Sequence, residues 1–125
     1  MNIYYIFIVL NGYDEDYGAL VIANSAKEAF TITRPKLLNF YLSGDFKGNF
    51  SDFIYRKNKQ GINQYIYIDN SIEKEPYSPK TMYNYEKDDY PKNTSIIISE
   101  YGPAICNITE PLIIDTHFYN GWCFV

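Results

Sequence analysis

Ile3-Tyr4-Tyr5-Ile6-Phe7-Ile8-Val9-Leu10 opens the chain as one unbroken apolar run. Asn11-Gly12-Tyr13-Asp14-Glu15-Asp16-Tyr17-Gly18 interrupts it with glycines and three consecutive acids. Ala19-Leu20-Val21-Ile22-Ala23 resumes it, and Ser25-Ala26-Lys27-Glu28 follows. The first run is rich in β-branched and aromatic residues and apolar at every position, the mark of a central strand covered on both faces. Gly18 to Ala23 reads as its antiparallel partner across a long charged hairpin tip. Ser25 then fits a helix N-cap, with Glu28 three residues on to complete a capping box. Strand, loop, strand, capped helix predicts an α+β domain.

The rest of the chain extends that frame. Ala26, Ala29, Phe30 and Thr33 recur at helical spacing. Arg34-Pro35 predicts a boundary, because the residue before proline is pushed out of the α region. Pro35 suits the first turn of a second short helix reaching Leu42. Phe46, Phe50 and Phe53 stand among Gly, Ser, Asn and Asp with no clear period. Residues 53–57 and 64–68 can pair as a hairpin over Asn58 to Gly61. Residues 69–94, with Pro76, Pro79 and Pro91 among charges and tyrosines, read as a long surface loop. Ser95 to Tyr101 is a strand ended by Gly102-Pro103, and Leu112 to Phe118 is another, closed by Gly121. Trp122 to Val125 is an apolar tail that must dock on the domain or on a second copy. The expected fold is a single α+β domain over 1–125. Its sheet is mainly antiparallel, one or two short helices pack on one face, and a long variable insert spans about 42–94. Ile6, Ile8, Leu20, Ile22, Phe30, Ile97, Ile113 and Phe118 are the expected core.

Composition narrows the function classes. At 125 residues the chain is long enough to hold a core without disulfides or metal. Net charge is −4 and the pI near 4.9, which argues against direct DNA binding, since that needs a basic footprint. Two cysteines, Cys106 and Cys123, and one histidine, His117, are too few for a structural zinc site. The N-terminal run is too short to cross a bilayer and has no basic flank or cleavage site, so no membrane association and a cytoplasmic location are expected. The chain carries 14 Tyr and 8 Phe against two Arg. Codon bias of an AT-rich genome accounts for such a composition. Exposed tyrosines also make recognition surfaces, since Tyr supplies rigid area plus a hydroxyl.

The stretch Tyr17-Gly18-Ala19-Leu20-Val21-Ile22-Ala23-Asn24-Ser25-Ala26-Lys27-Glu28-Ala29 resembles the start of many small phage and prophage proteins. In those, a strand ending Val-x-Ala-x-Ser runs into a Glu-Glu-Ala helix. Ile97-Ile98-Ser99-Glu100-Tyr101-Gly102-Pro103-Ala104 is similar to a later strand of theirs. Ile113-Ile114-Asp115-Thr116-His117-Phe118-Tyr119-Asn120-Gly121 is similar to their closing strand. The chain departs from that pattern at Thr116-His117 and at Tyr119-Asn120, and residues 42–94 have no counterpart. The resemblance implies a phage-type accessory protein working in the cytoplasm of an infected or lysogenic bacterium. It assigns no activity.

Catalytic inventory is thin. No GxSxG, Walker A, GxGxxG or HExxH occurs, and no catalytic residue is assigned. A thiol–imidazole pair between His117 and Cys106 or Cys123 has no third orienting group beside it. Asp14-Glu15-Asp16 lacks the spaced ligands of a calcium loop and reads as a solvated tip. No metal or cofactor is therefore expected, and the chain reads as no enzyme. The candidate contacts are Arg34, Tyr55, Arg56, Lys57 and Lys59, with Tyr77, Tyr83, Tyr85 and Tyr90 of the 42–94 segment. Arg offers bidentate anion recognition that Lys does not. Beside Tyr55 and Tyr65, Arg56 could hold a nucleotide by stacking and charge. The leading expectation is a counter-defence or host-takeover factor that binds and inhibits a host bacterial protein. The alternatives are a sponge for a nucleotide signal and a minor structural or assembly component of a phage particle. A homo-oligomer through the C-terminal tail accompanies these readings.

Overall fold

The computed structural model describes residues 1–9, 15–37, 48–68, 95–104, 108–118 and 121–124. Seven strands form one antiparallel sheet: β1 (Asn2–Val9), β2 (Glu15–Ala23), β3 (Ile54–Lys57), β4 (Asn63–Ile68), β5 (Ser95–Pro103), β6 (Leu112–Phe118) and β7 (Gly121–Phe124). Their spatial order is β3-β4-β5-β1-β2-β6-β7. One helix, α1 (Ala26–Leu37), and a short 3-10 turn at Phe50–Asp52 complete the described elements. The fold is the expected α+β one.

β1 sits at the centre, and its continuous hydrophobicity has a direct cause. Successive side chains alternate between two buried faces. Tyr4, Ile6 and Ile8 join Ala19, Val21 and Ala23 of β2 and Ile96 and Ile98 of β5, under Ala26, Ala29 and Phe30 of α1. Phe7 and Val9 point the other way and pack with Ile66, Ile68 and Ile97. Tyr5 stacks on Phe7 with ring centroids 4.9 Å apart. Each fully buried side chain of this size contributes roughly 1.5–3 kcal/mol relative to exposure. Ile6, Ile8, Ile22, Phe30 and Ile97 are core as expected. Leu20 is only half-buried. It pairs with Tyr5, itself half-buried, so that part of the sheet is less enclosed. Ile113 packs partly buried against the helix-side cluster, and the Phe118 side chain lies outside the described part of the structure.

Four local expectations change. β2 begins at Glu15 rather than Gly18, because Glu15 pairs with Val9 across a bulge and Tyr17 pairs with Phe118 on the other side. Gly102-Pro103 does not break β5. Tyr4 faces Glu100 and Asn2 faces Pro103, so one extra residue is absorbed as a bulge while pairing continues. Gly121 opens β7 instead of closing β6, and Phe118 and Gly121 pair. The C-terminal apolar stretch thereby docks on its own sheet.

The fourth change concerns α1, which runs through Pro35 to Leu37. Proline removes the bond that would reach the Thr31 carbonyl. Thr31 lies at an exposed turn, where water can replace that bond. Buried Phe30 and Thr33 hold the last turns on the sheet. Residues 38–42 lie outside the described residues. At the other end, the Glu28 N–H donates to Ser25 Oγ at 3.1 Å. Glu28 Oε1 accepts from the Asn24 N–H at 2.8 Å. The box closes one residue earlier than its usual form, in which the acid returns to the cap residue's own N–H.

Candidate functional site

The candidate contacts gather best on the hairpin at the β3 edge of the sheet. Its turn is specified residue by residue. The Gly61 N–H donates to the Asn58 carbonyl at 3.0 Å, and the Asn58 N–H donates to the Ile62 carbonyl at 2.9 Å. Asn58 Oδ1 accepts from the Gln60 and Ile62 N–H groups, both at 2.9 Å. Gly61 takes φ +81, a left-handed conformation in which glycine carries no steric penalty. This is the three-residue hairpin loop in which a turn is followed by a left-handed bulge residue. It puts Lys59 and Gln60 at the tip. It also fixes the register Ile54–Ile66, Tyr55–Tyr65, Arg56–Gln64 and Lys57–Asn63.

Strand alternation separates the candidate residues. Tyr55 and Tyr65 share the helix-side face, their ring centroids 5.5 Å apart. Tyr65 meets Phe50 at 5.4 Å, Phe50 meets Phe53 at 5.5 Å, and Phe53 meets Phe30 of α1 at 4.9 Å. These centroid distances lie in the favourable range for aromatic pairs. The rings form a continuous array from the helix to the edge, and Tyr55 ends it with 54% of its surface exposed. The Tyr55 hydroxyl donates to Asn63 Oδ1 at 2.7 Å, which fixes the outermost ring. Tyr55 is thus held in place yet open to a partner.

Arg56 lies on the opposite face. Its Nε donates to Gln64 Oε1 at 2.7 Å, and Gln64 Nε2 donates to Ser99 Oγ at 2.9 Å. This polar row runs from β3 across β4 to buried Ser99 on β5. Ser95, four residues before Ser99 on the same face, has a buried hydroxyl with no hydrogen-bond partner among the described residues. A base stacked on Tyr55 would therefore meet Arg56 only by reaching around the strand edge.

The other candidates lie elsewhere. Arg34 is exposed on α1. Its guanidinium lies over Gly48, where an added Cβ would stand 2.5 Å from Nε. The helix covers the face opposite Arg56, so the two arginines do not share a site. Tyr77, Tyr83, Tyr85 and Tyr90 lie outside the described residues, as does Cys106. Cys123 pairs along the backbone with Thr116, and His117 with Trp122. No group of three or more metal-ligating side chains occurs among the described residues. An open depression of about 310 Å³ lies at the start of α1, lined by Ser25, Lys27, Glu28 and Thr31.

Two tyrosines on the helix-side face hold their protons above the usual range. Burial raises Tyr4, its hydrogen bond with Asn2 opposes that shift, and the Glu100 carboxylate adds to it. Burial also raises Tyr65, with Glu100 and then Tyr55 adding to the shift. Both phenols are neutral donors at physiological pH and add no charge to the hairpin.

Sequence reading singled out Tyr55, Arg56, Lys57 and Lys59 but not the residues that support them. Gln64 and Ser99 are 35 positions apart, and nothing in either segment shows that β4 pairs with β5. Phe50 and Phe53 were visible as aromatics without an assigned element. The signal available was period-two alternation, which places Tyr55 and Arg56 on opposite faces of any strand containing both.

Comparison with protein-family profiles, curated proteins and solved structures finds no match to this chain. No helix among the described residues is long and apolar enough to cross a membrane.

Proposed function

We propose that this chain is a non-enzymatic phage-type accessory protein that binds and inhibits a protein of the bacterial host, with the β3–β4 hairpin as a contact surface. The observation that carries the reading is Tyr55. It is a large aromatic left half exposed at a sheet edge, yet fixed by Tyr65 behind it and Asn63 beside it. Recognition energy concentrates on Tyr, Trp and Arg, and a side chain already immobilised pays less ordering entropy on binding. Ile54, 42% exposed, adds apolar area on the other face of the same edge strand. Arg56, Lys57 and Lys59 supply local positive charge on an acidic chain, which selects a partner's orientation and speeds encounter. The surface is the edge of a sheet, a feature that suits a protein partner.

The test is a complex isolated from the bacterial host, its partner identified and rebuilt from purified components. Tyr55→Ala combined with Lys57→Glu should abolish binding and inhibition while the melting temperature stays within a few degrees of the parent. Unchanged affinity in that variant would sink the assignment of the hairpin.

A further inference from the structure

The outer edge of β3 is a row of backbone groups whose order is set by the turn. The Asn58 N–H bonds to Ile62 across the hairpin, and the register from Lys57 to Ile54 is unbroken. In an antiparallel ladder bonded and unbonded pairs alternate. Arg56 and Ile54 therefore turn their N–H and C=O groups toward β4. Tyr55 and Lys57 turn theirs outward. β3 is the last strand on this side among the described elements. From this the geometry points to one occupant: an extended, acidic segment of the partner protein that adds to β3 as an eighth strand. The inference rests on the proposed function above and names the mode of contact and the chemistry of the partner.

Three features select that occupant. The outward row alternates donor and acceptor, and a peptide backbone matches both. A phosphodiester chain offers acceptors only and would leave the Tyr55 and Lys57 carbonyls facing oxygen. A second copy of this chain supplies a backbone too, but edge-to-edge pairing would bring two sets of Arg56, Lys57 and Lys59 to one seam. Lysine on an edge strand is a known deterrent to such self-pairing. An acidic strand instead meets Lys57 on one face and Arg56 on the other. Like charges directly opposite in a sheet destabilise and opposite charges stabilise. Side chains flanking Tyr55 and Ile54 would be apolar, since both are exposed hydrophobics.

The experiment titrates the intact, isotope-labelled protein with a short peptide of paired valines and glutamates (a Val-Val-Glu-Glu repeat), which presents both residue types on each face of a strand, followed by amide shifts and hydrogen exchange. A Val-Val-Lys-Lys repeat and a short oligothymidylate serve as comparisons. The expected result is slowed exchange at Tyr55 and Lys57 with the acidic peptide alone, while Arg56, already bonded to β4, changes little. Lys57→Ala and Lys57→Pro both lose the charge, but only proline loses the outward N–H. Proline should therefore weaken binding by a further roughly three- to tenfold, the worth of one hydrogen bond. Edge positions tolerate proline where the N–H faces away from the ladder. If Lys57→Pro does not fold, the exchange pattern of the parent protein decides alone. Equal binding by the Ala and Pro variants overturns the inference. So does matching protection by oligothymidylate, or protection of Tyr55 and Lys57 that grows with concentration of the free protein. If the rebuilt complex depends on Tyr55 but the peptide leaves both amides exchanging freely, strand addition fails and the hairpin surface stands. If the complex ignores the hairpin variants, the functional reading itself fails.

Discussion

Gln64→Leu removes the centre of the polar row that holds Arg56. Gln64 is buried and bonds on both sides, accepting from Arg56 Nε and donating to Ser99 Oγ. Leucine fills nearly the same volume, so cavity terms are small. The half-buried Arg56 can recover its lost bond from water. Ser99 cannot, because the residue is only 1% exposed, and stranding its hydroxyl costs about 1–3 kcal/mol. Added apolar contact from leucine offsets part of that, leaving a net loss of about 1–2 kcal/mol. Ser99→Ala alone strands the Gln64 amide and should cost about 1 kcal/mol. The double variant removes both buried polar groups and should lie within about 0.5 kcal/mol of the parent. The cycle would then show a coupling of at least about 1 kcal/mol, well above the additivity error for independent sites. Urea unfolding followed by circular dichroism measures all four proteins. Additive effects across the cycle would refute the row as a coupled unit.

Further expectations are local. Ser25→Ala should lose about 1 kcal/mol, because the Glu28 N–H loses its acceptor; a loss under about 0.2 kcal/mol in urea would count against the cap. Gly61→Ala meets no atom within 4 Å, so its cost of roughly 1–2 kcal/mol comes from positive φ alone. A neutral Gly61→Ala would contradict the turn assignment. The raised tyrosine values predict alkaline sensitivity. A phenol whose folded pKa lies above the ordinary 10.0 keeps its proton more tightly in the native state. Its stabilisation is fully present below pH 10 and is lost as pH rises through the folded value. Tyr4→Phe should flatten the fall in unfolding free energy above pH 10. An identical alkaline slope in that variant would show that Tyr4 titrates as it does unfolded.

The central hairpin and the cap were legible because each is a local pattern. Ser25 and Glu28 are three residues apart, and the apolar runs of β1 and β2 flank one turn. The two-faced burial of Tyr4, Ile6 and Ile8 against Phe7 and Val9 follows from period two in an all-apolar strand. Pro35 misled because its cost depends on where the freed carbonyl points, and Thr31 faces water. Gly102 misled for a similar reason: a bulge absorbs the extra residue where sequence shows only a breaker. In the candidate site, Tyr55 and Arg56 stood out by type, and the Gly61 turn marked the hairpin. Their supports did not, since Gln64 meets Ser99 only through long-range strand order, and Phe50 and Phe53 acquire meaning only once Phe30 lies above them.

The most direct test of the binding surface is hydrogen exchange on the rebuilt complex, compared residue by residue with the free protein. Partner binding should protect the backbone amides of Tyr55 and Lys57 and leave the Ser25 to Thr31 end of α1 unchanged. A footprint that leaves residues 53–62 untouched would contradict the assignment of the hairpin as the contact surface.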